Sequence, residues 1–153
     1  MEIINDDIFN CKEDIICHQV NCQGVMGSGL AKQIKEKYPE VFKGYYHYCK
    51  TQELKDIFGT ALICEGSDKY IANLFGQDKY GTDKQYTDYD ALKQALTELK
   101  DFAKEKNLSV AIPYKMGCGL GGGNWNTVFD MITEVFTDVP CNIYKKEEKK
   151  NAK

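Results

Sequence analysis

The sequence predicts an α/β domain of three layers, with helices on both sides of a mixed central sheet, and three observations carry that prediction. Strand-length apolar runs alternate along the chain with amphipathic helical stretches. Two of those runs end in glycine-rich loops that open into helical patterns, one at Gly24 to Gly29 and one at Gly117 to Gly123. The length, 153 residues, suits a single domain able to bury roughly two-thirds of its unfolded surface.

Each element has its own signal. Residues 1–4 are a short apolar start read as an edge strand. Residues 14–20 form a β-branched, nearly continuous apolar run, as expected of a strand buried on both faces. Leu30 and Ile34 mark a helix that stops before Pro39, and Val41, Phe42, Tyr45 and Tyr48 mark a second. Residues 60–64 and 70–75 read as two strands of a hairpin turning through Gly66-Ser67-Asp68. A lysine-rich polar loop covers 76–85. The longest helix is expected over 87–106, where Tyr89, Leu92, Leu96, Leu99 and Phe102 recur at helical spacing. Thr87 is its expected N-cap, with Asp90 in the first turn and Asn107 as the stop. Residues 109–114 are a further buried strand, 124–136 a helix capped by Asn124, and 141–144 a last strand after Pro140.

Composition narrows the function. Hydrophobic residues make up 42% and charged residues 28%, ordinary values for a globular domain. A net charge of −3 argues against a non-specific nucleic-acid coat or a binder of anionic membranes. All 20 basic residues are lysine, so no arginine fork can clamp a phosphate and the weight falls on backbone N–H groups. The seven cysteines are odd in number, sit within apolar runs and show no metal-ligand spacing. No signal peptide and no membrane span are expected, so the reading is a reduced, soluble, cytoplasmic monomer with no cofactor and no metal site.

The two glycine loops carry the chemistry. In each, a strand gives way to glycines and then to a helix N-terminus, so free N–H groups and the positive end of the helix dipole converge on one place. That is an anion site in outline. A single such loop is a weak signal; two in one small domain point together at a phosphate-bearing ligand.

Four stretches give the pattern a family likeness: Asp7-Ile8-Phe9, His18 through Ala31, Ala72 through Gln77, and Ile112-Pro113 through Gly117-Cys118-Gly119-Leu120 to Trp125. Together they resemble a macro domain, the ADP-ribose-binding fold, from Ile3 to about Tyr144. The likeness is to the branch that includes yeast ADP-ribose-1″-phosphate phosphatase and the terminal ADP-ribose protein glycohydrolase. It implies a macro domain over 1–146 followed by a solvated tail over 147–153.

The resemblance also assigns roles. Asp7 would accept a hydrogen bond from the adenine amino group, with the Ile8 N–H beside it; by itself Asp7 is simply one of two acids in a turn. Gly27, Ser28 and Gly29, with Gln23 and Met26 in the same loop, would hold the distal ribose and a phosphate. Lys115, Met116, Gly117, Cys118, Gly119, Leu120 and Gly121 would cover the diphosphate, unless that loop is only a flexible connection. Asn21 would meet the distal ribose hydroxyls as a catalytic or binding group, or instead cap the turn after its strand. His18 would act as acid or base or hold a terminal phosphate, against the default of a satisfied core histidine. Cys118 sits where a thiolate would be stabilised, but a packed thiol is the better reading, and the same holds for Cys22. Phe75, Tyr80 and Tyr144 are candidate walls around the ligand, with Tyr144 counted as a ligand contact, and Trp125 is read as a core anchor.

Two departures matter. The glycohydrolase of that branch uses a lysine that aligns with Gln77 and an aspartate that aligns with Gly121, and neither is present. Lys79 and Lys84 lie nearby, though their spacing demands nothing. The single Asn21 also lacks the paired asparagines of a larger macro-domain branch. Three functions stay open: a hydrolase at the distal ribose of ADP-ribose derivatives, a module that captures free ADP-ribose, ADP-ribosylated protein or a related nucleotide without turnover, and a module acting on ADP-ribosylated nucleic acid.

Overall fold

The structure is a computed structural model that describes residues 1–147. Its sheet holds six strands: β1 (Ile3–Ile4), β2 (Ile15–Gln19), β3 (Ala61–Glu65), β4 (Tyr70–Leu74), β5 (Val110–Pro113) and β6 (Cys141–Tyr144). Their spatial order is β1-β6-β5-β2-β4-β3. All neighbours run parallel except the β3–β4 hairpin, which is antiparallel with Ile63 opposite Ala72. The mixed sheet expected from the alternation is therefore present, and β1 is an edge strand.

Five α-helices flank it among the described residues: α1 (Gly29–Lys37), α2 (Pro39–Thr51), α3 (Leu54–Ile57), α4 (Tyr89–Lys106) and α5 (Trp125–Val135). The period-two alternation of β2 sends Ile15 and Cys17 to one face and Ile16 to the other. On the first face Leu92, Leu96 and Leu99 of α4 and Val128 and Ile132 of α5 bury themselves against Ile15, Val110 and Ile112. On the second, Ile34 of α1, Tyr38 and Val41 cover Ile16, Ile71 and Ala111. Each of the valine, leucine and isoleucine side chains among these, removed from water, contributes about 1.5–3 kcal/mol before entropy is counted. A third cluster of Val20, Met26, Tyr45, Ile57 and Phe75 extends the core under the first glycine loop.

Local signals set the helix ends. Pro39 opens α2, where its missing N–H costs nothing. Asn107 closes α4 in the left-handed conformation at φ 57, as its position after the last apolar repeat suggested. Asn124 caps α5, accepting from the Thr127 N–H at 3.3 Å. One cap differs from expectation: Asp88, not Thr87, starts α4, its carboxylate accepting from the Ala91 N–H at 3.0 Å. Thr87 is drawn inward and is 4% exposed. The short α3 went unread because its single Leu54–Ile57 repeat is too brief to show a period. The tail expected over 147–153 lies, Glu147 apart, outside the described residues. No helix is long and apolar enough to cross a membrane among the described residues.

Candidate functional site

Strands β2 and β5 are neighbours and both point their C-terminal ends at the same edge, so the two glycine loops emerge side by side. The first is built on Asn21. Its Oδ1 accepts from the Gln23 N–H at 3.0 Å and the Val25 N–H at 3.3 Å, and the Tyr45 hydroxyl is shared between the Asn21 carbonyl at 2.7 Å and Oδ1 at 2.8 Å. Its Nδ2 donates to the Val25 carbonyl at 2.8 Å. Gly24, at φ 80, then turns the chain where a Cβ would stand 3.3 Å from the Tyr46 ring. Gly29 begins α1 at φ 58 with nothing within 4 Å of its Cβ position, so this end of the helix faces open space. The first amides of α1 have no carbonyl a turn earlier to bond, which leaves them for a ligand.

The second loop follows Lys115, which is itself left-handed at φ 59, an unusual state for a residue with a side chain. Gly117 at φ 76 and Gly122 at φ 73 complete the turns. The Gly123 N–H closes the loop on the Gly117 carbonyl at 2.9 Å.

Between the loops lies a cavity of about 510 Å³, within the ordinary range for small-molecule sites. From the first loop it is lined by His18, Asn21, Gly27, Ser28 and Gly29. From the second come Lys115, Met116, Gly117, Gly119, Leu120 and Gly121. An outer groove of about 1220 Å³ takes Asp7, Ile8 and Tyr144. The two share Gly29, Leu30, Pro113, Tyr114 and Lys115, so they run into one another. The Asp7 carboxylate accepts from the Phe9 N–H at 3.0 Å and pairs with Lys146 at 3.4 Å.

Three expected contacts are placed elsewhere. Gln23 reaches out to Asp78, donating to its carboxylate at 2.9 Å. Met26 is 2% exposed and belongs to the core cluster beneath the loop. Cys118 turns its thiol to the Met116 carbonyl at 3.4 Å and packs against the main core, and burial raises its pKa. It is the packed thiol expected, not a thiolate. Burial likewise pushes Cys22 up to about 12. Phe75 is fully buried against Tyr45, with ring centroids 5.9 Å apart, and is not a wall. Trp125 anchors Tyr114 and Phe129, as read. The Tyr144 hydroxyl is spent on Glu13 below the groove, and burial followed by that bond raises its pKa.

His18 forms part of the cavity wall, but its nitrogens are withdrawn. Nε2 lies 2.7 Å from Asn73 Oδ1. Because Asn73 donates through Nδ2 to the Leu62 carbonyl at 3.1 Å, its Oδ1 must accept, and Nε2 therefore carries the proton. Nδ1 is enclosed without a partner. Burial, partly offset by the Asn73 bond, lowers the pKa to about 4, so the ring is neutral at pH 7. The one N–H of this neutral ring is already donated to Asn73, and its remaining lone pair is enclosed, so neither nitrogen is free to act on a phosphate. Asn21, for its part, has its amide oxygen engaged by its own loop, which is the turn-capping alternative.

The sequence reading did not single out several residues of the site. Tyr114, Val25 and Thr82 line the inner cavity, and Gln19 stands beside them with Nε2 bonded to Gln77 at 2.7 Å and to Thr87 at 2.8 Å. A polar residue at the end of an apolar strand was the one signal that could have found Gln19. Val25, Tyr80 and Leu120 are large apolar side chains left exposed around the mouth. Among the described residues that line the inner cavity, none is a carboxylate and Lys115 is the one lysine. No cluster of metal-ligating side chains occurs among the described residues.

The sequence profile of the Macro domain family matches residues 17–132. A fusion protein of Thermosipho africanus, described as a DNA ADP-ribosyl transferase joined to a DNA ADP-ribosyl glycohydrolase, is 28% identical over 98% of this chain and 43% of its own. The chain thus spans about two-fifths of the length of that relative and of a Mycobacterium tuberculosis DNA ADP-ribosyl glycohydrolase matched over 38%. An ADP-ribose 1″-phosphate phosphatase of Debaryomyces hansenii is 27% identical over 85% of this chain and 87% of its own. Among solved structures, the macrodomain of Mycobacterium tuberculosis DarG superposes with a TM-score of 0.81 at 29% identity, covering 96% of this chain and 99% of that one.

Proposed function

This chain belongs to the macro domain family, and from that premise we propose that it binds ADP-ribose or a derivative and hydrolyses a bond at the distal ribose. The observation that carries the reading is the continuity of inner cavity and outer groove through Gly29, Leu30, Pro113, Tyr114 and Lys115. A ligand with a base at one end, a diphosphate in the middle and a second sugar at the other needs such a two-part groove. In this reading Asp7 and the Ile8 N–H take the adenine. The amides of the two glycine loops take the diphosphate and distal ribose, with Lys115 adding a cation.

The names of the relatives support hydrolysis, since they include glycohydrolases and a phosphatase. The chemistry here would rest on positioning and on backbone N–H groups stabilising developing negative charge, with an attacking water in place of a side-chain nucleophile. A second reading, capture without turnover, is favoured by one observation. Gln77, which stands where the resembling glycohydrolase has its lysine, is tied at both ends of its amide, to Gln19 at 2.7 Å and to the Lys79 carbonyl at 2.9 Å. The seven unpaired cysteines support placing the chain in the cytoplasm.

The test is titration calorimetry with ADP-ribose, followed by assays of phosphate release from ADP-ribose-1″-phosphate and of ADP-ribose release from modified protein and modified DNA. Binding with turnover on any of these supports the hydrolase. Binding without turnover selects the capture reading, and no binding overturns the ligand assignment.

A further inference from the structure

The second glycine loop has no regular structure of its own, so something else must hold its amides in place. It is wrapped around one side chain. Thr87 is 4% exposed and lines neither cavity, yet its hydroxyl donates to the Gly117 carbonyl at 2.7 Å. The Thr87 and Tyr86 N–H groups both donate to the Gly121 carbonyl, at 3.0 and 2.8 Å. A Cβ added at Gly117, Gly121 or Gly123 would meet Thr87 at 3.3, 2.5 or 3.4 Å. These glycines close on Thr87 as on a post, and only their lack of side chains lets them approach.

The post is itself tied down. Having given its proton to Gly117, the Thr87 hydroxyl accepts from Gln19 Nε2 at 2.8 Å. The same Nε2 donates to Gln77 Oε1 at 2.7 Å, and Gln77 Nε2 donates to the Lys79 carbonyl at 2.9 Å. Every orientation in this relay is forced, because turning either amide would set like atoms face to face. The relay is kept although it leaves Gln19 Oε1 buried without a partner, pressed where Cβ atoms of Gly76 and Gly117 would come within 2.4 and 2.9 Å. Two loops that border the inner cavity, 76–87 and 117–123, are thereby joined through the end of β2.

We propose that Thr87, anchored by Gln19 and Gln77, is the positioning residue that sets the ligand-facing geometry of the second glycine loop. The two loops move as one unit, and a change at Gln77 is felt at Gly117–Gly121. Thr87 acts through the loop and never touches the ligand. The affinity consequence rests on the ADP-ribose reading above; the loop mechanics do not.

Thr87→Val keeps the shape and removes the hydroxyl, while Thr87→Ser keeps the hydroxyl. Amide hydrogen exchange of the ligand-free protein and ADP-ribose affinity are measured for both. Thr87→Val removes both the bond to the Gly117 carbonyl and the bond from Gln19 Nε2, and is expected to speed exchange selectively at 117–123 and to weaken binding roughly tenfold, the scale of the lost bond to the loop. Thr87→Ser is expected to match the wild type within about twofold. Unchanged exchange at 117–123 in the valine variant, a uniform increase over the whole chain, or failure of serine to rescue would overturn the proposal. Should the valine variant not fold, Gln77→Ala decides the matter: faster exchange at 117–123 supports the coupling, and wild-type exchange there refutes it. A wild type that does not bind ADP-ribose would sink the functional reading while leaving the exchange comparison intact.

Discussion

Replacing Gly121 by alanine probes the packing that shapes the inner cavity. The new Cβ would lie 2.5 Å from Thr87 Oγ1 and 2.8 Å from the Gly117 carbonyl oxygen, against ordinary contact at 3.4–4 Å. One of these neighbours is backbone and the other is a buried hydroxyl already bonded on both sides, so neither can swing away. Relief requires the loop to retreat, breaking the bonds that the Tyr86 and Thr87 N–H groups make to the Gly121 carbonyl. Overpacking costs about 1–3 kcal/mol and each lost hydrogen bond about 1 kcal/mol. We expect about 3–5 kcal/mol in total, shared between folding stability in a urea titration and the free energy of ADP-ribose binding. Gly119→Ala is the control, since its Cβ would meet nothing within 4 Å, and should change stability by no more than about 0.5 kcal/mol. If Gly121→Ala matched that control in the urea titration, the steric argument for the loop would be wrong. The same clash means that Gln77→Lys with Gly121→Asp should not install the acid and lysine of the resembling glycohydrolase. A gain of release activity by that double variant would contradict it.

Four further outcomes can be checked. The His18 pKa of about 4 lies below its ordinary value because the ring is buried. The unfolded chain therefore binds a proton that the folded one refuses between about pH 6.5 and 4, so this stability is complete above that window and lost as pH falls through it. The ceiling is about 3 kcal/mol, and urea titrations across pH should show a shallower slope for His18→Phe; an identical slope would refute it. Asp88→Ala should cost about 1 kcal/mol through the lost α4 cap, and a neutral result in chemical denaturation would return the cap to Thr87. Asp7→Ala should weaken ADP-ribose binding about tenfold, the range for a hydrogen bond to a charged group, with calorimetry as the readout and unchanged affinity as the contrary result. Cys118→Ala should keep any turnover the wild type shows, because the thiol is held protonated by burial; loss of the chemical step alone would revive the nucleophile.

The first glycine loop was legible in part. Gly27, Ser28 and Gly29 were found by a local pattern and do line the cavity, but Gln23 and Met26, drawn from the same run, do not. Glycines advertise a backbone that must turn or approach closely, whereas nothing in the run tells which neighbouring side chain faces out to Asp78 or down into the core. Thr87 misled for a related reason. A threonine before a helical repeat is a fair cap, and only the arrival of the second glycine loop beside it explains why Asp88 takes that role.

By itself, then, the chain's order of residues determined the alternation of strands and helices, the two glycine loops and their placement after buried strands. These follow from periodicity, proline and glycine chemistry acting over a few residues. The pairing of His18 with Asn73, the enclosure of both their side chains, and the relay from Gln77 through Gln19 to Thr87 were decided by tertiary structure. Those partners stand 55 to 68 positions apart. Strand register and the crossovers between strands set which distant side chains meet, and no local pattern encodes either.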